Sequence, residues 1–426
     1  MTRHLKYRLA SACALIALLA AGPLRAETTL SFLIDNGPDT LVAAEALVEA
    51  YAAKHPDITI EIDQRPGGGE GDNTIKTRLA TGEMADIFLY NAGSLFQVLK
   101  PEQTLHDIAG LPALANIAET FKSVSSAGGK AYGVPFGTSM VGGIFYNKKI
   151  YRDLGLSVPK TWAEFMANNE KIKAAGKVAL VQTYRDSWTS QILVLSDYYN
   201  LQASVPDFAT QYTANKAKYA TTPAALKSFE RLKDVHDAGI LNEDFGAASY
   251  DDGLYVLANG DAAHYPMLSL AIGALQQNHP ESLADIGFFA QPSDDASVNG
   301  LTVWMPPALY IPASSQHVDD AKGFLDFVGS VEGCKVLMGV NTVQGPSLIK
   351  GCDLPADVPP AVTDMLPYFK DGRTAPALEY LSPIKGPNLQ QITVEVGSGM
   401  RLPADAAAMY DDDVRKQAQQ LGIPNW

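Results

Sequence analysis

Cysteine and histidine are scarce, at three and seven in 426 residues, and the histidines are scattered. That excludes a zinc site built on clustered thiolates and imidazoles, and no His-Glu-x-x-His occurs. Membrane-length apolar runs are lacking as well. The one candidate, "LASACALIALLAAG" near the start, falls short of the roughly 18 to 20 residues that span a bilayer. Basic residues are outnumbered, 33 against 47 acids, for a net charge of −14, and such a chain repels nucleic acid and anionic membranes. Phosphate-binding glycine loops are also missing. "RPGGGEGDN" has neither a Lys-Ser/Thr pair nor dinucleotide spacing. "GTSMVGG" has Val141 where a serine hydrolase elbow needs its second glycine. The runs Asp294-Asp295 and Asp411-Asp412-Asp413 lack the glycine and glutamate of a calcium loop and read as solvated surface. No cofactor and no metal are expected.

The start of the chain has a pattern of its own. Arg3, Lys6 and Arg8 precede the apolar run and small Ala26 closes it, the layout of a secretory signal peptide over residues 1–26 cleaved after Ala26. Its loss removes four basic residues and no acid, taking the net charge from −14 to −18. The exported chain keeps Cys334 and Cys352, which in an oxidising compartment can form a disulfide. The alternative is two unrelated buried thiols.

From Thr28 onward strand and helix patterns alternate. Leu30, Phe32 and Ile34 mark a strand, Leu41, Ala44, Val48 and Tyr51 fall at helical spacing, and Ile58, Ile60 and Ile62 mark a second strand. "NTIKTRLATGE" is a short helix stopped by Gly82, and "ADIFLY" a third strand. This is the signature of an α/β domain with a largely parallel sheet. Ligands in such sheets sit beyond the carboxyl ends of the strands, here the loops "DNGPD", "RPGGGEGDN" and "NAGS". Helices are expected at Trp162 to Ala175, Ser187 to Tyr199, Pro223 to Ala238 and Tyr250 to Asn259, with no strong strand after Pro346.

Four aromatics neighbour turn or polar residues: Trp188 in "TYRDSWTS", Tyr250 in "SYDDG", Trp304 in "LTVWMPP" and Tyr380 in "ALEYLSP". A sugar ring has an apolar C–H face and a hydroxyl rim, so aromatic stacking with Asp, Asn and Arg hydrogen bonds suits it. The competing reading of each ring is ordinary core.

Several segments together resemble the extracellular solute-binding proteins of ABC importers, specifically the maltose-binding-protein-like family 1 group that binds sugars. In order they are "LVEAYAAKHPDITIEI", "LATGEMADIFLY", "GGKAYGVPFGTSMVGGIFYNKKIYRDLGLSVPKTWAEF", "LANGDAAHYPM", "AKGFLDFVGSVEG" and "NTVQGPSL". The resemblance implies a two-lobed periplasmic-binding-protein fold (type II-like), with a ligand cleft between two α/β lobes. It implies one lobe of residues 27–135 plus 289–345 and another of 136–288 plus 346–426. The glycine-rich stretch from Gly128 then lies where the chain leaves the first lobe, and its glycines make large φ/ψ excursions cheap.

The function implied is capture of a carbohydrate, an oligosaccharide favoured, by lobe closure, and delivery to a membrane permease by a periplasmic monomer that transforms nothing. Carried onto the matching loops, the ligand-binding set is Asp35, Asn36 and Asn91 from the first lobe. Trp188, Tyr250, Trp304, Arg373 and Tyr380 come from the second lobe or hinge. Many members carry a tryptophan where this chain has Leu270, which leaves Tyr265 or Trp304 to supply the missing ring. Three rivals stay open: a secreted carbohydrate-active enzyme, which needs two carboxylates about 5 to 10 Å apart, a sensory binding subunit that docks to a receptor instead of a permease, and an anionic sugar derivative held by Arg65, Arg185 or Arg373.

Overall fold

In the computed structural model the described residues are 28–426, and the expected signal segment, residues 1–26, lies outside them. Strand β1 (Thr28–Asp35) turns Leu30, Phe32 and Ile34 into the core. It pairs in parallel with β2 (Ile58–Arg65) along its whole length, Asp35 opposite Arg65, and with β3 (Ile87–Tyr90) on its other side. Parallel neighbours require crossovers, which the helices Pro38–Ala52 and Gly68–Thr81 provide. Gly82 ends the second of these in the left-handed conformation, φ +75°, a backbone state that costs glycine nothing.

A short hairpin of β4 (Ser126–Ala127) and β5 (Lys130–Ala131) leads to β6 (Val134–Pro135). The chain then enters a second sheet through β7 (Met140–Asn147), β8 (Val178–Leu180), β9 (Ala262–Leu268), β10 (Ile286–Phe289) and β11 (Leu301–Trp304). It returns to the first sheet at β12 (Ala308–Tyr310) and adds β13 (Thr374–Pro376) to the second. The orders are β2-β1-β3-β12-β6 and β13-β11-β7-β9-β8, with β10 beside the far half of β7.

Strand pairing moves two of the expected lobe boundaries. Residues 289–304 do not belong to the first lobe: Phe289 lies opposite Ile144 and Trp304 opposite Met140, both on β7. The reason is backbone satisfaction. β7 is buried along almost all its length, and without β10 and β11 one row of its N–H and C=O groups would go unpaired. The return to the first sheet is therefore Met305–Pro307. Nor does the chain leave the first lobe at Pro346. Ala118 N–H donates to Leu348 O, Lys350 N–H to Asn116 O, and Ile117 bridges Ile349. Cys352 is bonded to Cys334, and only after it does the helix Pro360–Thr363 pack on β10.

Three local readings also change. The expected helix Ser187 to Tyr199 is broken into a 3₁₀ turn, Ser187–Gln191, and the short helices Ile192–Ser196 and Tyr198–Ser204. Asp197 sits at the break, where its buried carboxylate accepts from Asn200, Gln291 and Arg231. The strand β13 carried no sequence signal, being three residues with a proline held by β11. The run Asp411 to Asp413 is not simply solvated surface: Asp411 accepts from Tyr219 N–H and Ala220 N–H, and Asp413 is buried and accepts from Asn388.

Apolar packing is continuous from the first sheet through the crossovers to one face of the second sheet. A separate cluster around Phe165, Leu180, Phe229 and Leu232 fills that sheet's other face.

Candidate functional site

Three parallel strands end side by side at the loops expected to reach the ligand. Asp35 closes β1, and its Oδ1 accepts from Gly37 N–H at 2.9 Å, turning the chain into the next helix. Asn36 stands exposed beyond it, its N–H held by Arg65 O at 2.9 Å. Asn91, also exposed, follows β3, and its carbonyl accepts from the Tyr310 hydroxyl at 3.1 Å. Arg65 braces the row from beneath. It is buried, donating through Nη1 to Pro66 O and through Nη2 to Leu89 O, so its charge is spent on the loops.

Two of the expected aromatics meet on the second lobe. Trp188, half-buried on its 3₁₀ turn, lies 5.4 Å from the Tyr250 ring at 46°. Asp186 Oδ2 accepts from Tyr250 N–H at 2.7 Å and ties the two loops together. A Ser249/Asp252 capping box fixes the helix Tyr250–Ala258 behind them. The Tyr250 hydroxyl is buried without a partner among the described residues, and burial raises its pKa.

At the crossovers lies a cavity of about 680 Å³, and none of the expected ligand residues is among those that line it. Phe136 to Thr138 and Met305 to Pro307 form its floor. The second lobe contributes Leu270 and the helix Ala271–Asn278, and the first lobe contributes Asp39 and the stretch Asn341 to Gln344. Among the described residues Asp39 is its one charged lining residue.

Tyr380 joins the lobes. Its ring packs against Gly93, its hydroxyl donates to Met305 O at 2.9 Å, and the neighbouring Glu379 carbonyl accepts from Ser94 Oγ.

Three expected site residues stand elsewhere. Tyr265 is fully buried with its hydroxyl 2.7 Å from Thr183 Oγ1, so it backs Tyr250 and offers no face to a ligand. Trp304 is only 6% exposed, its Nε1 donating to Glu379 Oε1 at 2.5 Å. Neither replaces the ring absent at Leu270. Arg373 lies at the far end of β11, over the Tyr368 ring at 4.6 Å and bonded to Asn299 O and Asp371. It lines a different cavity, of about 500 Å³. Sequence reasoning reached Asp39 only as part of the loop "DNGPD" and missed the lining stretch Asn341 to Gln344. The segment "NTVQGPSL" had been noticed, but nothing in it signalled a cleft lining.

Residues 36–333 match the family model described as bacterial extracellular solute-binding protein. The chain belongs to this family. Over 316 residues this solute-binding protein is 28% identical to the multiple sugar-binding protein of Streptococcus mutans serotype c, covering 72% of this chain and 71% of that one. A family 1 extracellular solute-binding protein from Bifidobacterium longum subsp. infantis superposes with a TM-score of 0.75 at 22% identity, covering 92% and 99%. Ligand-free RafE from Streptococcus pneumoniae gives 0.74 at 21% identity, covering 92% and 99%. The raffinose complex of RafE gives 0.66 at 21% identity, covering 91% and 99%. No described helix is long and apolar enough to cross a membrane.

Proposed function

We propose that this solute-binding protein captures a neutral carbohydrate between its lobes, an oligosaccharide favoured, and presents the closed form to the permease of an ABC importer. The observation that carries this is the cavity at the lobe crossovers, whose one charged lining residue among the described residues is Asp39. A neutral polyol loses little on entering such a space, whereas an anion finds no cation lining it. Asp35, Asn36 and Asn91 hydrogen-bond the hydroxyl rim, and Trp188 stacks on the C–H face. Tyr250 gains the partner its hydroxyl lacks, an unpaired buried donor costing about 1–3 kcal/mol.

Closure brings the two lobes onto the sugar, and the ligand's contacts to both lobes shift the population to the closed form. The multiple sugar-binding relative supports a sugar over other solutes. The nearer fit to ligand-free RafE than to its raffinose complex supports an open lobe arrangement here. The chain is exported by residues 1–26, cleaved near Ala26, acts as a periplasmic monomer and alters no bond of its ligand.

Thermal unfolding of the signal-free protein against neutral oligosaccharides, polyols and sugar phosphates tests this. A ligand at 100 times its Kd adds about 2.7 kcal/mol to stability. A neutral sugar should raise the midpoint and be recovered intact. A shift from anions alone, or a hydrolysed sugar, contradicts the reading.

A further inference from the structure

We infer that the Cys334–Cys352 disulfide positions the ligand cleft, holding Asn341 to Gln344 as a preformed wall, so that the bond sets ligand affinity as well as stability. The role in affinity rests on the cleft reading above.

The wall is the least supported part of the cleft lining. The helix Val331–Val340 ends with Asn341 N–H on Leu337 O. Among the described residues no backbone hydrogen bond then engages the chain until Pro346 O accepts from Ser139 N–H and Oγ. Residues 342–345 therefore hold their shape through what pins their two ends. On one side Cys334 is fixed within the helix. On the other, Leu348 and Lys350 are hydrogen-bonded to the Asn116 to Ala118 backbone, and Cys352 follows two residues later. The disulfide joins these ends across a sequence separation of 18, with Ser347 Oγ 3.1 Å from Cys334 Sγ inside the loop.

The loop faces both the ligand space and the hinge. A β-carbon on Gly273 of the second lobe would lie 3.8 Å from Thr342 Cγ2 and 3.9 Å from Gln344 Nε2, so the wall stands directly across the cleft from the second lobe. A β-carbon on Gly345 would lie 2.3 Å from Ser139 O, so the loop is pressed onto the first crossover. Cys352 is also where the chain departs for the second lobe. With the bond open, the wall must be ordered by the ligand itself, and the entropy of ordering is subtracted from affinity. A disulfide acting only on the unfolded chain would raise global stability and leave the wall's own motion unchanged.

The test compares the signal-free wild type with the Cys334→Ser/Cys352→Ser double variant by hydrogen exchange, and by titration with raffinose as the probe. The bonded amides of Ile349, Lys350 and Cys352 should exchange about tenfold faster in the variant while β1 and β3 keep their protection, and raffinose binding should weaken about tenfold. Unchanged exchange over 341–352, or equal acceleration throughout the first lobe, overturns the inference. Should the double variant fail to fold, wild type reduced after folding with a phosphine gives the same comparison. If oxidised wild type ignores raffinose, that counts against the choice of sugar, and the exchange comparison still decides whether the bond positions the wall.

Discussion

A β-carbon on Gly93 would stand 2.6 Å from the Tyr380 Cα, so a second-lobe residue rests directly on first-lobe backbone. Gly93 also has φ +73° with ψ −136°, a region closed to other residues. Gly93→Ala should therefore cost about 1–3 kcal/mol from backbone strain, with the overlap on Tyr380 adding to it. Urea unfolding at unchanged slope checks this. Tyr380→Phe keeps the ring and loses the bond to Met305 O, and should cost about 1 kcal/mol.

Asp197 and Arg231 form an ion pair whose side chains are each 2% exposed. Asn200 Nδ2 at 2.8 Å and Gln291 Nε2 at 3.1 Å complete the carboxylate's shell. Asp197→Asn leaves the buried guanidinium only the more exposed Asp294, 3.6 Å away, as counter-charge and should cost about 3 kcal/mol. Asp153→Asn, which breaks the exposed pair with Lys149, should cost about 0.5 kcal/mol or less. Denaturant midpoints of the two variants give the contrast.

His264 is fully buried, its Nε2 2.7 Å from the Tyr151 hydroxyl and its Nδ1 2.9 Å from Ala179 O. Burial holds its pKa down at about 3, against an ordinary 6.5. As pH falls below 6.5 the unfolded chain takes up a proton on this imidazole and the folded chain does not. The stability this group contributes is complete above pH 6.5 and falls by about 1.4 kcal/mol per pH unit down to about pH 3. His264→Gln should remove that slope. Midpoints measured between pH 7 and pH 5 for both proteins should converge as pH falls; parallel lines would contradict the assignment.

Much of the frame was legible because it is written in periodicity. Leu30, Phe32 and Ile34 alternate, and Gly82 stops its helix in the left-handed state. Tyr265 was misread because β9 is buried on both faces, so alternation carries no orientation there. Trp304 was misread because nearness to turn residues says nothing about which way a side chain faces, and Arg373, implied by the resemblance alone, lies at the other end of β11. The lobe boundaries moved because pairing of β10 and β11 with β7 is a long-range hydrogen-bonding demand, which composition along the chain does not record.

The interlobe cleft is proposed to bind a neutral sugar through Trp188. Calorimetric titration with the sugar that stabilises wild type, using Trp188→Ala and Arg373→Ala, tests it most directly. Loss of a stacking ring should weaken binding by about 0.5–1.5 kcal/mol beyond the lost apolar contact, while Arg373→Ala, in the other cavity, should bind as wild type does. Unchanged affinity in Trp188→Ala together with lost binding in Arg373→Ala would contradict the account.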